Sequence, residues 1–214
     1  TPVLAGYVKD ENSDLLDLNR KPMPEISVDE SKRSFIEIVR GYSAEQAKAE
    51  AARCVACGIC TKTCPAHMNI PEYIESVWKG DLKEGLEYLY KTNPLPAVCG
   101  RICTHKCEGV CSISNRGEAI SIRWLKRYII DNAPDEAYES VVNAPVSKPG
   151  AGKIAIIGSG ASGLSAAYYL GALGYQVDVY ERQEKVGGPM RYGVPRYRLP
   201  DDALERDIAV IEKL

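Results

Sequence analysis

The chain has 214 residues, 45% hydrophobic and 26% charged, with a formal charge of −2. That length buries a core in one or two domains, and the near-neutral balance with no basic stretch argues against a nucleic-acid surface. No apolar run approaches the roughly 20 residues of a membrane-spanning helix. Thr1–Asp10 lacks the basic start and apolar stretch of a secretion signal, so the expected setting is cytoplasmic.

Residues 1–33 are polar and punctuated by Pro22 and Pro24, which predicts an extended arm packed on something else. Ser43-Ala44-Glu45-Gln46 has capping-box form and predicts a helix from Ala44 to about Arg53, delivering Cys54 at its end. Pro71 suits a helix's first turn, and Ile70, Ile74, Val77 and Trp78 repeat at helical spacing up to Gly80. Asp81 caps a further helix with Leu82, Leu86, Leu89 and Tyr90 on one face, stopped by Asn93-Pro94. These stripes read as plain core. Pro94 to Cys111 reads as loop, and Ile122, Leu125 and Ile129 mark another amphipathic helix ending before Pro134. Residues 34–133 therefore form a helical domain. Residues 134–152, with Pro134, Pro145, Pro149, Gly150 and Gly152, read as a linker. Residues 153–214 open with a buried strand (Ile154–Ile157), a glycine turn, a helix (Ser162–Leu173) closed by Gly174, and a second strand (Val177–Glu181), the start of a βαβ unit.

All eight cysteines fall between Cys54 and Cys111. Without a secretion signal disulfides are disfavoured, and the grouping marks a site. Cys54-x2-Cys57-x2-Cys60-x3-Cys64-Pro65 has the spacing of the bacterial ferredoxin run, in which three cysteines wrap one cubane and the fourth reaches a second cluster. Gly58 is expected to keep the wrap open where a side chain would crowd inorganic sulfur. Cys99, Cys103, Cys107 and Cys111 follow at every fourth position. That repeat would line one face of a helix, but Gly100 and Gly109 argue against a long one. Two 4Fe–4S cubanes need eight ligands, and eight cysteines are present. The inferred partition is Cys54, Cys57, Cys60 and Cys111 on one cluster and Cys64, Cys99, Cys103 and Cys107 on the other. Structural zinc is the rival reading, as paired C-x2-C spacings also hold zinc, but four cysteines this close would crowd a single ion. His67 and His105 read as surface groups or neighbours of the ligands.

Gly158-Ser159-Gly160-Ala161-Ser162-Gly163 follows a strand and opens a helix. Gly158 allows the tight turn, Gly160 lets a pyrophosphate approach the backbone, and Gly163 lets helix and strand pack closely. The helix N-terminus, with Ser162 in its first turn, offers free amides to phosphate. Glu181 ends the next strand about twenty residues on, where an acid binds ribose hydroxyls. FAD is favoured over NAD by the residues after Glu181. These are Arg182 and then Gly187-Gly188-Pro189-Met190-Arg191, a second glycine pair resembling the segment along a flavin's pyrophosphate and ribityl chain. The candidate cofactor contacts are thus Gly158, Gly160, Ser162, Gly163, Glu181, Arg182, Gly188 and Arg191, and no catalytic side chain is singled out.

This ordered series resembles the small subunit of bacterial glutamate synthase and its relatives. These include the N-terminal half of dihydropyrimidine dehydrogenase and the large subunit of NADH-dependent ferredoxin:NADP oxidoreductase. The resemblance runs from about Phe35 to the C-terminus and rests on Gly41-Tyr42-Ser43-Ala44-Glu45-Gln46-Ala47, Arg53 to Pro65, Cys99-Gly100-Arg101-Ile102-Cys103 and Gly187 to Pro195. It implies an α-helical ferredoxin-like domain with two 4Fe–4S clusters, followed by the start of a Rossmann-type FAD-binding domain. It also implies that NAD(P)H reduces FAD while the clusters pass electrons singly to or from a partner redox subunit or ferredoxin. Matching positions imply Cys54, Cys57, Cys60 and Cys111 on one cluster and Cys64, Cys103 and Cys107 on the other.

Three departures stand out. Relatives use Glu or Gln as the last ligand of the second cluster where this chain has Lys126, which cannot serve while protonated; Cys99 is the candidate replacement. The Cys57-x2-Cys60 spacing is shorter than is usual in glutamate synthase and points away from glutamate synthesis itself. The chain also reaches Leu214 with two strands of the sheet and no second glycine motif, so an NAD(P)H domain is expected outside it, on a longer chain or another polypeptide. The expected function is an NAD(P)H-linked iron–sulfur flavoprotein oxidoreductase. A non-catalytic electron-wiring subunit and a zinc-stapled interaction module are the alternatives.

Overall fold

The computed structural model describes residues 19–142 and 152–214, so the first part of the expected arm (1–18) and part of the expected linker (143–151) lie outside the described residues. The described part of the arm is anchored to the body. Lys21 N–H donates to Glu50 at 2.8 Å, and the Arg20 side chain donates to the carbonyl of Ala119 at 3.0 Å. The arm is not extended throughout, because Ser27 accepts the Glu30 amide and starts helix α1 (Val28–Arg33).

Capping chemistry sets the next helices where the sequence predicts them. Ser43 and Gln46 close a full capping box on α2 (Ala44–Ala52), with Arg53 as its last half-turn. A short α3 (Ile59–Thr63) lies between cysteines. Pro71 sits in the first turn of α4 (Ile70–Lys79), which ends on left-handed Gly80. Asp81 accepts the Glu84 amide to start α5 (Leu82–Thr92).

The stretch from Pro94 to Cys111 departs from the expected loop. Pro96 opens helix α6 (Pro96–Ile102), and a 3-10 turn covers Glu108–Val110. Gly100 lies inside α6, which is short and ends before Cys103. A Cβ there would sit 3.3 Å from Arg127 Cα, so the missing side chain lets α6 press on α7 (Ile122–Asn132). The stretch read as a linker also contains a helix, α8 (Asp135–Ser140), whose Tyr138 donates to the carbonyl of Ile130 at 2.6 Å. Leu86, Leu89, Leu125, Ile129 and Ile130 are wholly buried where α5 and α7 meet.

The glycine unit follows as β1 (Ile154–Ile157), α9 (Ala161–Ala172) and β2 (Val177–Tyr180), then α10 (Pro189–Tyr192) and α11 (Asp201–Glu212). β1 and β2 pair in parallel, Ile154 with Val177 and Ile157 with Tyr180. The expected buried strand is half bare, with Ile157 84% and Tyr180 56% exposed. Parallel sheets bury both faces under helices. Here α9 and α11 cover the side of Val177 and Val179, leaving a cleft of about 400 Å³, and Ile157 and Tyr180 point the other way. The two units touch through α11 on α6, and Tyr168 of α9 donates to the carbonyl of Tyr90. Among the described residues no helix is long and apolar enough to cross a membrane.

Candidate functional site

The first cysteine group is built at the end of α2. Arg53 and Glu50, 1% and 0% exposed, pair at 2.7 Å. Glu50 also accepts the Ser121 amide at 2.8 Å, and Arg53 donates to the Glu118 carbonyl. This buried network ties the start of the cysteine loop to the segment that follows the last cysteine.

The loops between cysteines carry backbone strain at two equivalent places. Ala56 and His105 hold φ of +52° and +42°, a region non-glycine residues rarely adopt. Each lies two residues past a cysteine, and each donates its amide to that cysteine's Sγ at 3.4 Å, Ala56 to Cys54 and His105 to Cys103. The strain aims an N–H at sulfur, and at Cys54 that bond opposes the rise that burial imposes on the thiol. Gly58, at φ +74°, has no atom within 4 Å of where a Cβ would stand. Its left-handed backbone, rather than crowding by protein, is what requires glycine there.

Cys54, Cys57, Cys60 and Cys111 line one small cavity of about 20 Å³, walled by Pro71, Ile74, Ile113, Ile120 and Ile122. All eight cysteines are free thiols, which removes the disulfide reading. No three described His, Cys, Asp or Glu side chains close tightly around one ion. A zinc ion demands such convergence, with sulfurs about 2.3 Å from the metal, whereas a cubane spaces its four sulfur ligands around its own volume. The apolar cavity and its four thiols therefore fit a cluster better than a single ion.

Burial raises two of these thiols. It pushes Cys54 up to about 12 and Cys60 to about 11, each helped by the neighbouring cysteines, against the pull of backbone amides. Cys57 is exposed. What burial it has raises it, but hydrogen bonds from Ser112 and backbone amides outweigh that and bring the thiol below its ordinary value.

Cys64, Cys99, Cys103 and Cys107 form the second group. Burial pushes Cys107 up to about 12, with Cys103 and Cys64 adding to it, and raises Cys99. Lys126, 6% exposed on α7, opposes both rises with its charge and contacts Met68 Sδ at 3.9 Å. A buried lysine side chain thus lies beside Cys99 and Cys107. His105 lies 3.5 Å from Glu108 and His67 is exposed, so neither joins a cysteine group.

In the glycine unit, Gly158 has φ +95°. A Cβ on Gly163 would stand 1.9 Å from the Gly158 carbonyl oxygen, and one on Gly188 would stand 2.8 Å from Gly160 Cα. The second glycine pair therefore packs directly on the first turn. Gly160 caps α9, where a Cβ would meet only Pro189 at 3.7 Å, so its lack of a side chain serves open space rather than packing. Ser162 is exposed in the first turn of α9. Glu181 accepts the Ser159 amide at 2.9 Å and the Gln183 amide at 2.8 Å. The Gln183 amide first, then Ser159, hold its carboxyl down at about 2.

Arg182 is exposed. The Arg191 side chain is engaged away from the turn, donating to the Val186 carbonyl at 2.6 Å and pairing with Glu205 and Asp201. The structure thus brings Gly158, Gly160, Ser162, Gly163, Glu181 and Gly188 together and turns Arg191 toward the acids of α11. Glu50 and Asp207 escaped the sequence reading, because a buried charge declares itself only through tertiary partners. The spacing of Ala203, Leu204, Ile208 and Ile211 would have revealed α11, but not the role of Asp207.

Residues 31–138 match the family described as dihydropyrimidine dehydrogenase domain II, 4Fe-4S cluster. Residues 156–212 match the NAD(P)-binding Rossmann-like domain. Among curated relatives, UacF of Escherichia coli (strain K12), which carries an oxidoreductase name, is 38% identical over 198 residues, 90% of this chain and 31% of its own. The glutamate synthase (NADPH) small chain of the same organism is 35% identical over 195 residues, 89% of this chain and 41% of its own. The NAD-dependent dihydropyrimidine dehydrogenase subunit PreT homolog of Salmonella typhi is 36% identical over 185 residues, 83% and 43%. The chain spans 31% to 43% of the length of these relatives.

Proposed function

The chain belongs to the dihydropyrimidine dehydrogenase domain II 4Fe-4S family, an oxidoreductase family here joined to a dinucleotide-binding segment, and from that premise we propose that it carries two 4Fe–4S clusters and FAD. In this reading it moves electrons between NAD(P)H, FAD and the clusters, to or from a partner redox subunit or ferredoxin. Bound clusters supply one-electron steps, and a flavin divides the electron pair of a hydride into such steps. The observation that carries the reading is the pair of thiol groups. Four line one apolar cavity, and of the other four Cys107 lies near Cys103 and Cys64 while Cys99 and Cys107 both lie near Lys126.

Cys54, Cys57, Cys60 and Cys111 are assigned to one cluster and Cys64, Cys99, Cys103 and Cys107 to the other. The amides of Ala56 and His105 hold the Sγ atoms of Cys54 and Cys103 in place. Lys126 lowers the cost of gathering thiolates at the second group by supplying a positive charge in a buried place. In the glycine unit, the open face of Gly160 and the free amides at the start of α9 suit a pyrophosphate. Gly188 presses on that turn and closes its far wall. Glu181 is ionised and fixed against Ser159, ready to accept from ribose hydroxyls.

Anaerobic purification tests this directly. Iron and acid-labile sulfide matching two cubanes, an EPR signal on reduction, and heat-released FAD are the expected results. Cys57→Ala is expected to retain only one cluster's iron, and a bulky replacement of Gly160 to release the flavin. Colourless protein without iron or sulfide, or with zinc instead, would overturn the cluster reading. Two clusters with no flavin in the intact protein would instead favour an electron-wiring subunit.

A further inference from the structure

Helix α6 carries Cys99 and ends on Cys103, yet its own sequence supplies no cap. The residue at its N-cap is Leu95, which makes no side-chain cap bond, and Pro96 has no N–H to satisfy. The orphan donors of the first turn are therefore the amides of Ala97 and Val98. Both are taken by Asp207, which lies on α11 more than a hundred residues away. Its Oδ1 accepts Ala97 N–H at 3.1 Å and Oδ2 accepts Val98 N–H at 2.9 Å. The Tyr90 hydroxyl of α5 donates to Oδ1 at 2.9 Å, completing three bonds to a wholly buried carboxylate. Burial pushes that carboxyl up to about 7, although the two amides, Tyr90 and the charge of Arg101 all draw it down. A buried acid held against that cost is explained by what it caps. The residue after Val98 is Cys99, and the Cys103 amide bonds back to the Cys99 carbonyl at 3.3 Å.

We propose that Asp207 is the positioning residue of the second cysteine group. By capping α6 from the dinucleotide-binding unit, it sets the aim of Cys99 and joins that unit to the cluster as one body. Tyr168 of α9 on Tyr90 and Tyr169 on Thr92 strengthen the same junction. The inference rests on the cluster assignment above and extends it. The geometry of a cluster ligand is held by a side chain on the segment that binds the dinucleotide.

The test uses the full-length protein, purified anaerobically, as wild type, Asp207→Asn and Tyr90→Phe. Iron is counted, and the midpoint potential of each cluster is followed by EPR at pH 8.5. The first cluster is identified as the one lost in Cys57→Ala. Asp207→Asn removes a negative charge and turns an N–H toward one of the two α6 amides. It is expected to shift the second cluster's midpoint upward or to lose that cluster's half of the iron, with the first cluster unchanged. Tyr90→Phe is expected to shift the same cluster by less. Wild-type midpoints for both clusters, or equal shifts in both, would overturn the proposal, and if Asp207→Asn does not fold, Tyr90→Phe decides by the same criterion. Wild-type protein without iron would undo the cluster assignment itself. Cluster-loaded wild type with indifferent variants would undo only the role of Asp207.

Discussion

The helical part and the glycine unit bury their chains to different degrees. In the helical part Leu86, Leu89, Leu125 and Ile129 have no exposed surface, and even its charges are buried in pairs. In the glycine unit Ile157 is 84%, Leu173 55% and Tyr180 56% exposed. Helices close a core by packing stripe on stripe, whereas two parallel strands leave one face and one edge uncovered.

The comparison can be broken or sharpened by substitution. Arg53→Ala leaves Glu50 charged, buried and unpaired, and is expected to cost about 3–5 kcal/mol. A lowered denaturation midpoint in the iron-loaded protein measures it, and a near-wild-type midpoint would mean that the network does not secure the cysteine loop. Leu89→Ala opens a cavity in the closed core and is expected to cost about 2–5 kcal/mol by the same measurement. Gly163→Ala forces the start of α9 off β1, at about 1–3 kcal/mol of overpacking. Loss of bound dinucleotide without loss of iron is the expected signature.

Glu181 gives a smaller, pH-dependent effect. Its folded pKa of about 2 lies below the ordinary 4.5. Its contribution is therefore fully present above about pH 4.5 and is lost as pH falls toward 2. The protection factor of the Ser159 amide should fall over that interval, and Glu181→Gln should remove the dependence. The smallest effect belongs to Ile157→Ser. On the bare face it should change the stability of this chain by less than about 0.5 kcal/mol, and a loss as large as that of Leu89→Ala would show the face to be covered.

Much of the architecture was legible in the sequence, for local reasons. The box at Ser43 and Gln46, the stop at Gly80, the cap at Asp81 and the spacing of Leu86 and Leu89 each act within a turn or two of helix, so short windows of sequence carry them. The reading failed where a feature depends on distant partners. Pro96 opened a helix in a stretch read as loop, and the close packing of α6 on α7 at Gly100 has no mark in the local sequence. The pairing of Arg191 with Asp201 and Glu205 of α11 was likewise not foreseen.

Sequence alone determined the kind of chemistry in this protein, because the spacing of cysteines and glycines is a property of the chain and limits what each loop can wrap. Tertiary structure decided which groups share a place. It set Lys126 beside Cys99, tied Glu50 to Ser121, and brought Asp207 to the amides of Ala97 and Val98. The energy of a buried charge depends on what lies within a few ångströms in space, and order along the chain does not encode that distance.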